Sequence, residues 1–87
     1  FGLLSMIIEQ QLGRSCADVL SSRFFEPLGM ADSWLGLPKE RVAELMPTIV
    51  PCELPEWQAN ATSWNWNSEY WRTFGAPWGG MIASTKD

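Results

Sequence analysis

A hydroxyl becomes a useful nucleophile when a base stands within hydrogen-bond reach of it. The sequence contains no histidine. Ser15, Ser21 and Ser22 have no lysine three residues further on. Lys39 and Lys86 are preceded at that spacing by Gly36 and Ala83 rather than by serine. These serines are therefore expected to cap helices or face water. Glu53 and Glu56 stand three apart in a proline-rich stretch, with Glu69 further along. Nothing in the sequence pairs or buries them, so a solvated loop face is expected rather than acid–base work. Two cysteines, Cys16 and Cys52, with no histidine beside them, are too few for a zinc site. No metal and no cofactor is expected, and the two thiols are expected to be free and buried.

What remains is recognition by shape. Trp64, Trp66, Tyr70, Trp71, Phe74 and Trp78 crowd the last third of the chain. Rings of this kind make flat apolar walls that act by burial and stacking. They serve equally to fill a junction between two lobes, and the residue types alone leave both readings open.

The elements that must carry these rings follow from apolar spacing and chain breakers. Leu3, Leu4, Ile7, Ile8 and Leu12 recur at three- and four-residue steps, which predicts a helix over Gly2–Leu12 with Gly13 as a left-handed cap. Ser15, with Asp18 three residues on, opens a second helix that runs to Phe25 and stops before Pro27. The turn at Pro27-Leu28-Gly29-Met30 and the nearby Trp34 are apolar enough to be expected in a core. Ser33–Leu37 reads as a short extended segment, and Pro38 opens a short helix over Lys39–Leu45. Pro47, Pro51 and Pro55 exclude a helix and disfavour a central strand, so residues 46–61 read as a long irregular loop, a type that is often functional. Trp64 and Trp66 alternate with Asn65 and Asn67, which predicts an extended segment with one apolar side. Asn67 or Ser68 caps a turn holding Tyr70 and Trp71, Gly75 breaks it, and Ser84 with Asp87 reads as a further helix start.

Composition narrows the function classes. The chain has 87 residues and a net charge of −4. No basic stripe is present, so nucleic acid is not an expected partner. No apolar run reaches the roughly 20 residues that span a bilayer. A free-standing domain of this size buries only about 60% of its unfolded surface, and six tryptophans in so short a chain need neighbours. Asn60-Ala61-Thr62 fits a glycosylation tripeptide, a pattern common by chance, and occupancy is not expected. A chain that opens on Phe1 and stops as a new helix begins is expected to be truncated at both ends. Cysteine usage does not fix the compartment.

Three segments together resemble a known family. Phe1-Gly2-Leu3-Leu4-Ser5-Met6-Ile7-Ile8-Glu9, then Phe25-Glu26-Pro27-Leu28-Gly29-Met30-Ala31-Asp32, then Gly79-Gly80 followed by Ser84, Thr85 and Asp87, are similar in content and order to the β-lactamase-related serine hydrolases. That largely bacterial family includes class C β-lactamases, D-Ala-D-Ala peptidases and esterases. The resemblance spans nearly the whole chain. It implies an α+β parent, with an antiparallel sheet and a helical lobe, of which this segment is a mainly helical internal piece with long irregular loops. Residues 1–45 would be its helical part, 46–78 a proline- and Trp-rich loop beside the cleft, and 79–87 the start of the next helix.

The same resemblance implies a function. The family works through a serine nucleophile in S-x-x-K, a Y-x-N motif and a K-T-G or H-x-G strand. None of the three occurs here; Tyr70 is followed by Trp71-Arg72 and does not match Y-x-N. The implied parent hydrolyses an ester or amide through an acyl-enzyme, and this segment alone is expected to be inactive, with no catalytic residue of its own. Carried over by position, Trp78 lines the cleft with Gly79 and Gly80 behind it, and Tyr70 and Trp71 are weaker substrate-binding candidates. Its partners would be a small ester or amide substrate and the rest of the parent domain. Members occur in periplasmic, secreted and cytoplasmic settings. A different class of function, a small Trp-rich module binding carbohydrate or another ligand, also suits so many indoles.

Overall fold

The computed structural model describes residues 1–87 throughout. Helix α1 occupies Gly2–Leu12. Gly13 closes it in the left-handed region at φ 65°, its N–H donating to the Glu9 carbonyl. The Ser15 hydroxyl then accepts the Asp18 N–H at 3.1 Å and starts α2, Cys16–Leu20. The two helices are tied at this corner, where the Cys16 N–H donates to Glu9 Oε1 at 3.1 Å.

The second helix ends at Phe25 as the sequence predicts, but its last turn, Ser21–Phe25, is π-helical. The Glu26 N–H reaches back five residues to the Ser21 carbonyl at 2.9 Å. Pro27 prevents continuation, and the Met30 N–H closes the end onto the Phe25 carbonyl at 2.8 Å. Here an expectation fails. Phe25 is buried, whereas Leu28 is 70% exposed and Met30 and Trp34 are only half-buried. The turn's backbone is satisfied locally, and Leu28 projects into solvent.

Strand β1, Ser33–Leu35, pairs antiparallel with β2, Met81–Ala83, with Trp34 opposite Ile82. The ladder is extended on both sides. The Gly36 N–H donates to the Gly80 carbonyl at 3.1 Å and the Ser84 N–H to the Asp32 carbonyl at 3.0 Å. Asp87 fastens the far end, its Oδ2 accepting from the Asp32 N–H and the Ser33 hydroxyl, both at 2.8 Å. Residues 79–87 thus carry a strand where a helix start is expected. Only the contact of a cap survives, the Ser84 hydroxyl accepting the Asp87 N–H at 3.3 Å.

After β1, a 3-10 turn at Lys39–Arg41 leads into α3, Val42–Leu45. Arg41 lies over the Trp34 ring, 5.6 Å from its centroid, and binds Glu44 at 3.0 Å. The hydrogen bond from Arg41, reinforced by its charge, holds the Glu44 carboxyl below the usual range. Residues 46–61 form the expected loop, regular only in two 3-10 turns at Met46–Thr48 and Glu56–Gln58. The Trp64–Trp66 segment is not extended. It folds into turns that bring Trp64 and Trp66 onto Trp57, with centroids 6.2 and 5.9 Å away. The Gln58 side chain, 2% exposed, enforces this by accepting the Trp66 N–H at 3.2 Å. Helix α4, Glu69–Phe74, completes the set. The segment therefore mixes helices with a two-stranded sheet.

The core is small. Cys16, Val19, Phe25, Leu35, Leu37, Leu45, Ala61 and Ala76 are its buried apolar residues. The stripe of α1 is not part of it, since Leu3, Leu4, Ile7 and Leu12 are exposed and Ile8 is only half-buried. Both cysteines are free, but only Cys16 is buried, and Cys52 lies at the surface, contrary to expectation.

Candidate functional site

Helix α4 and the turn after it build the site. Asx and Ser residues set the start: the Ser68 hydroxyl accepts the Trp71 N–H at 3.2 Å and donates to the Asn65 carbonyl at 2.6 Å. With its first turn held this way, α4 turns Arg72 inward while Tyr70 and Phe74 stay on the exposed side. Gly75, at φ 67°, ends the helix and lies against Gly36, where a Cβ would come within 2.8 Å of the Leu35 carbonyl oxygen. The Leu37 N–H donates across this contact to the Arg72 carbonyl at 2.7 Å.

The chain then turns tightly through Pro77–Gly80. The N–H groups of Gly79 and Gly80 both point at the Ala76 carbonyl, at 3.1 and 2.6 Å. Gly80 is buried on the Ala76 backbone, which leaves no room for a side chain. That close approach aims β2 back along β1 and leaves Trp78 projecting, 59% exposed, at the bend.

Between these parts lies a cavity of about 490 Å³. Ile49 and Val50 of the long loop form one side, Trp66 and Trp71 the second, and Trp78 through Ile82 the third. Of the five residues singled out from sequence for substrate contact, Trp71, Trp78, Gly79 and Gly80 line it, and Tyr70 does not. Tyr70 is instead 57% exposed and stacks on Phe74 at 5.8 Å, and Phe74 continues the row to Trp78 at 6.4 Å.

Arg72 in this wall, and Asn67 bonded to it from outside the lining, were not singled out as site residues. Arg72 is only 6% exposed, yet its Nε and Nη1 have no hydrogen-bond partner. Only Nη2 is engaged, donating to Asn67 Oδ1 at 3.0 Å. Asn67 is the clasp of the site. Its Oδ1 also accepts the Cys52 N–H at 2.8 Å, and its Nδ2 donates to the Cys52 carbonyl at 2.8 Å, which holds the proline loop over α4. Glu69 and Arg72 stand three apart, a spacing that suggests a surface ion pair and so conceals the inward Arg72. The one available signal was its place among aromatic residues, Tyr70-Trp71-Arg72-Thr73-Phe74. A larger open groove, about 1280 Å³, runs along α1, α2 and β1 and meets the first cavity at Trp78. Glu9 and Ser33 on its wall are already engaged with Cys16 and Asp87.

The arrangement can hold an apolar body. It contains no nucleophile–base pair, and no three His, Cys, Asp or Glu side chains come together as metal ligands. The β-lactamase family model matches residues 1–87, the whole chain.

The chain belongs to the β-lactamase family. The match makes it related to the serine hydrolases. Neither the curated proteins nor the solved structures gave a significant match. Trp78, Gly79 and Gly80, which the resemblance gave by position, line the cavity together with Trp71 and with Trp66, which was not a candidate. No helix is long and apolar enough to cross a membrane.

Proposed function

We propose that residues 1–87 form one wall of the substrate cleft of a serine hydrolase that cleaves an ester or amide, β-lactams included, through an acyl-enzyme. Trp78 and Trp71 would be the flat sides against which the acyl part is buried. Gly79 and Gly80 would let the backbone come close behind it. The nucleophile and its bases would come from S-x-x-K, Y-x-N and K-T-G or H-x-G motifs outside these residues, in an α+β domain whose other parts cover the apolar side of α1. Catalysis needs a nucleophile and an activating base in one site, and the segment brings walls without either.

The observation that carries this reading is the meeting of Trp71, Trp78, Gly79 and Gly80 around one cavity in a chain of this family. It predicts that residues 1–87 alone do not hydrolyse p-nitrophenyl acetate or a chromogenic cephalosporin. Turnover by the pure segment, abolished by mutating one of its own serines, would overturn the reading.

A further inference from the structure

Little burial holds the middle of the proline loop, where Val50, Pro51, Cys52 and Glu53 are all exposed. The hydrogen bonds of residues 50–54 to the rest of residues 1–87 all run from Cys52 to one side chain. Asn67 Oδ1 accepts the Cys52 N–H at 2.8 Å and the Cys52 thiol at 3.3 Å, and Asn67 Nδ2 donates to the Cys52 carbonyl at 2.8 Å. One carboxamide thus grips both backbone groups of one residue, as a paired strand would. Asn67 is itself fixed. Its N–H donates to Asn65 Oδ1 at 2.8 Å, and its Oδ1 also accepts Arg72 Nη2 at 3.0 Å. Arg72 is anchored in turn by its backbone, its N–H donating to the Ser68 carbonyl at 3.1 Å and its carbonyl accepting the Leu37 N–H at 2.7 Å. Pro51 has a fixed φ and no N–H, so pinning Cys52 also places Ile49 and Val50, which line the 490 Å³ cavity with it.

From this we infer that Asn67 is a positioning residue: its grip on Cys52 sets the Ile49–Val50 side of the cavity, and so how tightly the cavity holds an apolar group. The other two sides are built from Trp66 and Trp71 and from Trp78 through Ile82. A hydrocarbon in the cavity is covered on three sides while the clasp is closed and on two once it is released. Affinity falls by the burial lost, because apolar stabilisation is roughly proportional to the area removed from water. The inference rests on the hydrolase reading only in taking the held group to be the acyl part of a substrate.

The test uses the protein expressed from its complete coding sequence, with n-hexanol as an unreactive apolar probe. Calorimetric titration follows the probe, and hydrogen exchange at the Cys52 amide follows the clasp. The Gly36 amide, bonded to the Gly80 carbonyl beside the strands, is the internal reference. Asn67→Ala is expected to speed Cys52 exchange at least about tenfold and to leave Gly36 exchange unchanged. It should also weaken n-hexanol about tenfold, the scale of exposing one or two methylene groups. Ile49→Ala, which trims the wall and keeps the clasp, should weaken the probe similarly with Cys52 exchange unchanged. If Asn67→Ala fails to fold, Asn67→Asp keeps a partner for Arg72 but sets an acceptor against the Cys52 carbonyl, and it should loosen the loop and weaken the probe in the same direction. Unchanged Cys52 exchange overturns the inference, as does n-hexanol affinity that survives release of the clasp or loss of the Ile49 side chain. So does an absence of saturable n-hexanol binding to the unaltered protein. So does Gly36 exchange that speeds as much as Cys52 exchange, the mark of a merely structural role. Hydrolysis of p-nitrophenyl hexanoate on the same preparations keeps the two readings apart. With both correct, KM rises in step with the n-hexanol Kd while kcat holds. A fall in kcat at unchanged KM sinks only the positioning role, and the expected exchange and binding without any turnover sink only the hydrolase.

Discussion

A methyl group on Gly80 would be driven into the Ala76 backbone and would stand 2.9 Å from its carbonyl oxygen, whereas one on Gly79 would meet nothing within 4 Å. The two neighbours should therefore respond differently. Gly80→Ala is expected to destabilise the protein by about 1–3 kcal/mol, the cost of overpacking against backbone. Gly79→Ala should stay within about 0.5 kcal/mol, as surface changes do. Urea unfolding of both variants reads the difference, and equal midpoints would refute the proposed close approach. The family resemblance placed the pair behind Trp78. Which glycine matters was not legible in the sequence, because that depends on where Ala76 lies. Arg72 shows the same limit: residue type and spacing suggest a surface cation, and only the fold turns it inward.

Elements whose signals are local were the readable ones. Helix α1 with its Gly13 cap, α2 opened by Ser15, the Ser33–Leu35 strand and α4 behind Ser68 all follow from residues within a few positions of each other. Because the Ser68 hydroxyl accepts the Trp71 N–H, Ser68→Ala is expected to cost about 1 kcal/mol, within the usual 0.5–2 kcal/mol for a lost N-cap. A thermal melt checks it, with Ser68→Asp expected to restore most of the loss; no change in Ser68→Ala would show the cap to be idle. Strand β2 was not readable, since Met81-Ile82-Ala83 is held extended by Trp34 and its neighbours far away in the chain. Likewise the alternation of Trp64 and Trp66 mimics a strand, but packing on Trp57 and the bond to Gln58 win. Proline spacing did reveal the long loop; the Asn67 clasp that makes it a cavity wall joins residues fifteen apart and leaves no local pattern.

At the scale of the molecule, the covering of apolar surface is incomplete. Phe1, Leu3, Leu4, Met6 and Ile7 of the first helical face are exposed, as are Leu28 and Val50. Patches of this kind mark surfaces that meet other protein. On the proposed reading, the rest of a hydrolase domain lies over α1 and brings the bond-breaking groups to the cavity beside Trp78. The family could be recognised from sequence because its segments are spread along the whole chain, whereas the cavity depends on the pairing of β1 with β2. The reading is tested most directly by reacting the protein from its complete coding sequence with a fluorophosphonate and locating the adduct by peptide mass spectrometry. The predicted result is one labelled serine, outside residues 1–87, three residues before a lysine. An adduct on a serine within residues 1–87, or no adduct on a folded protein, would contradict it.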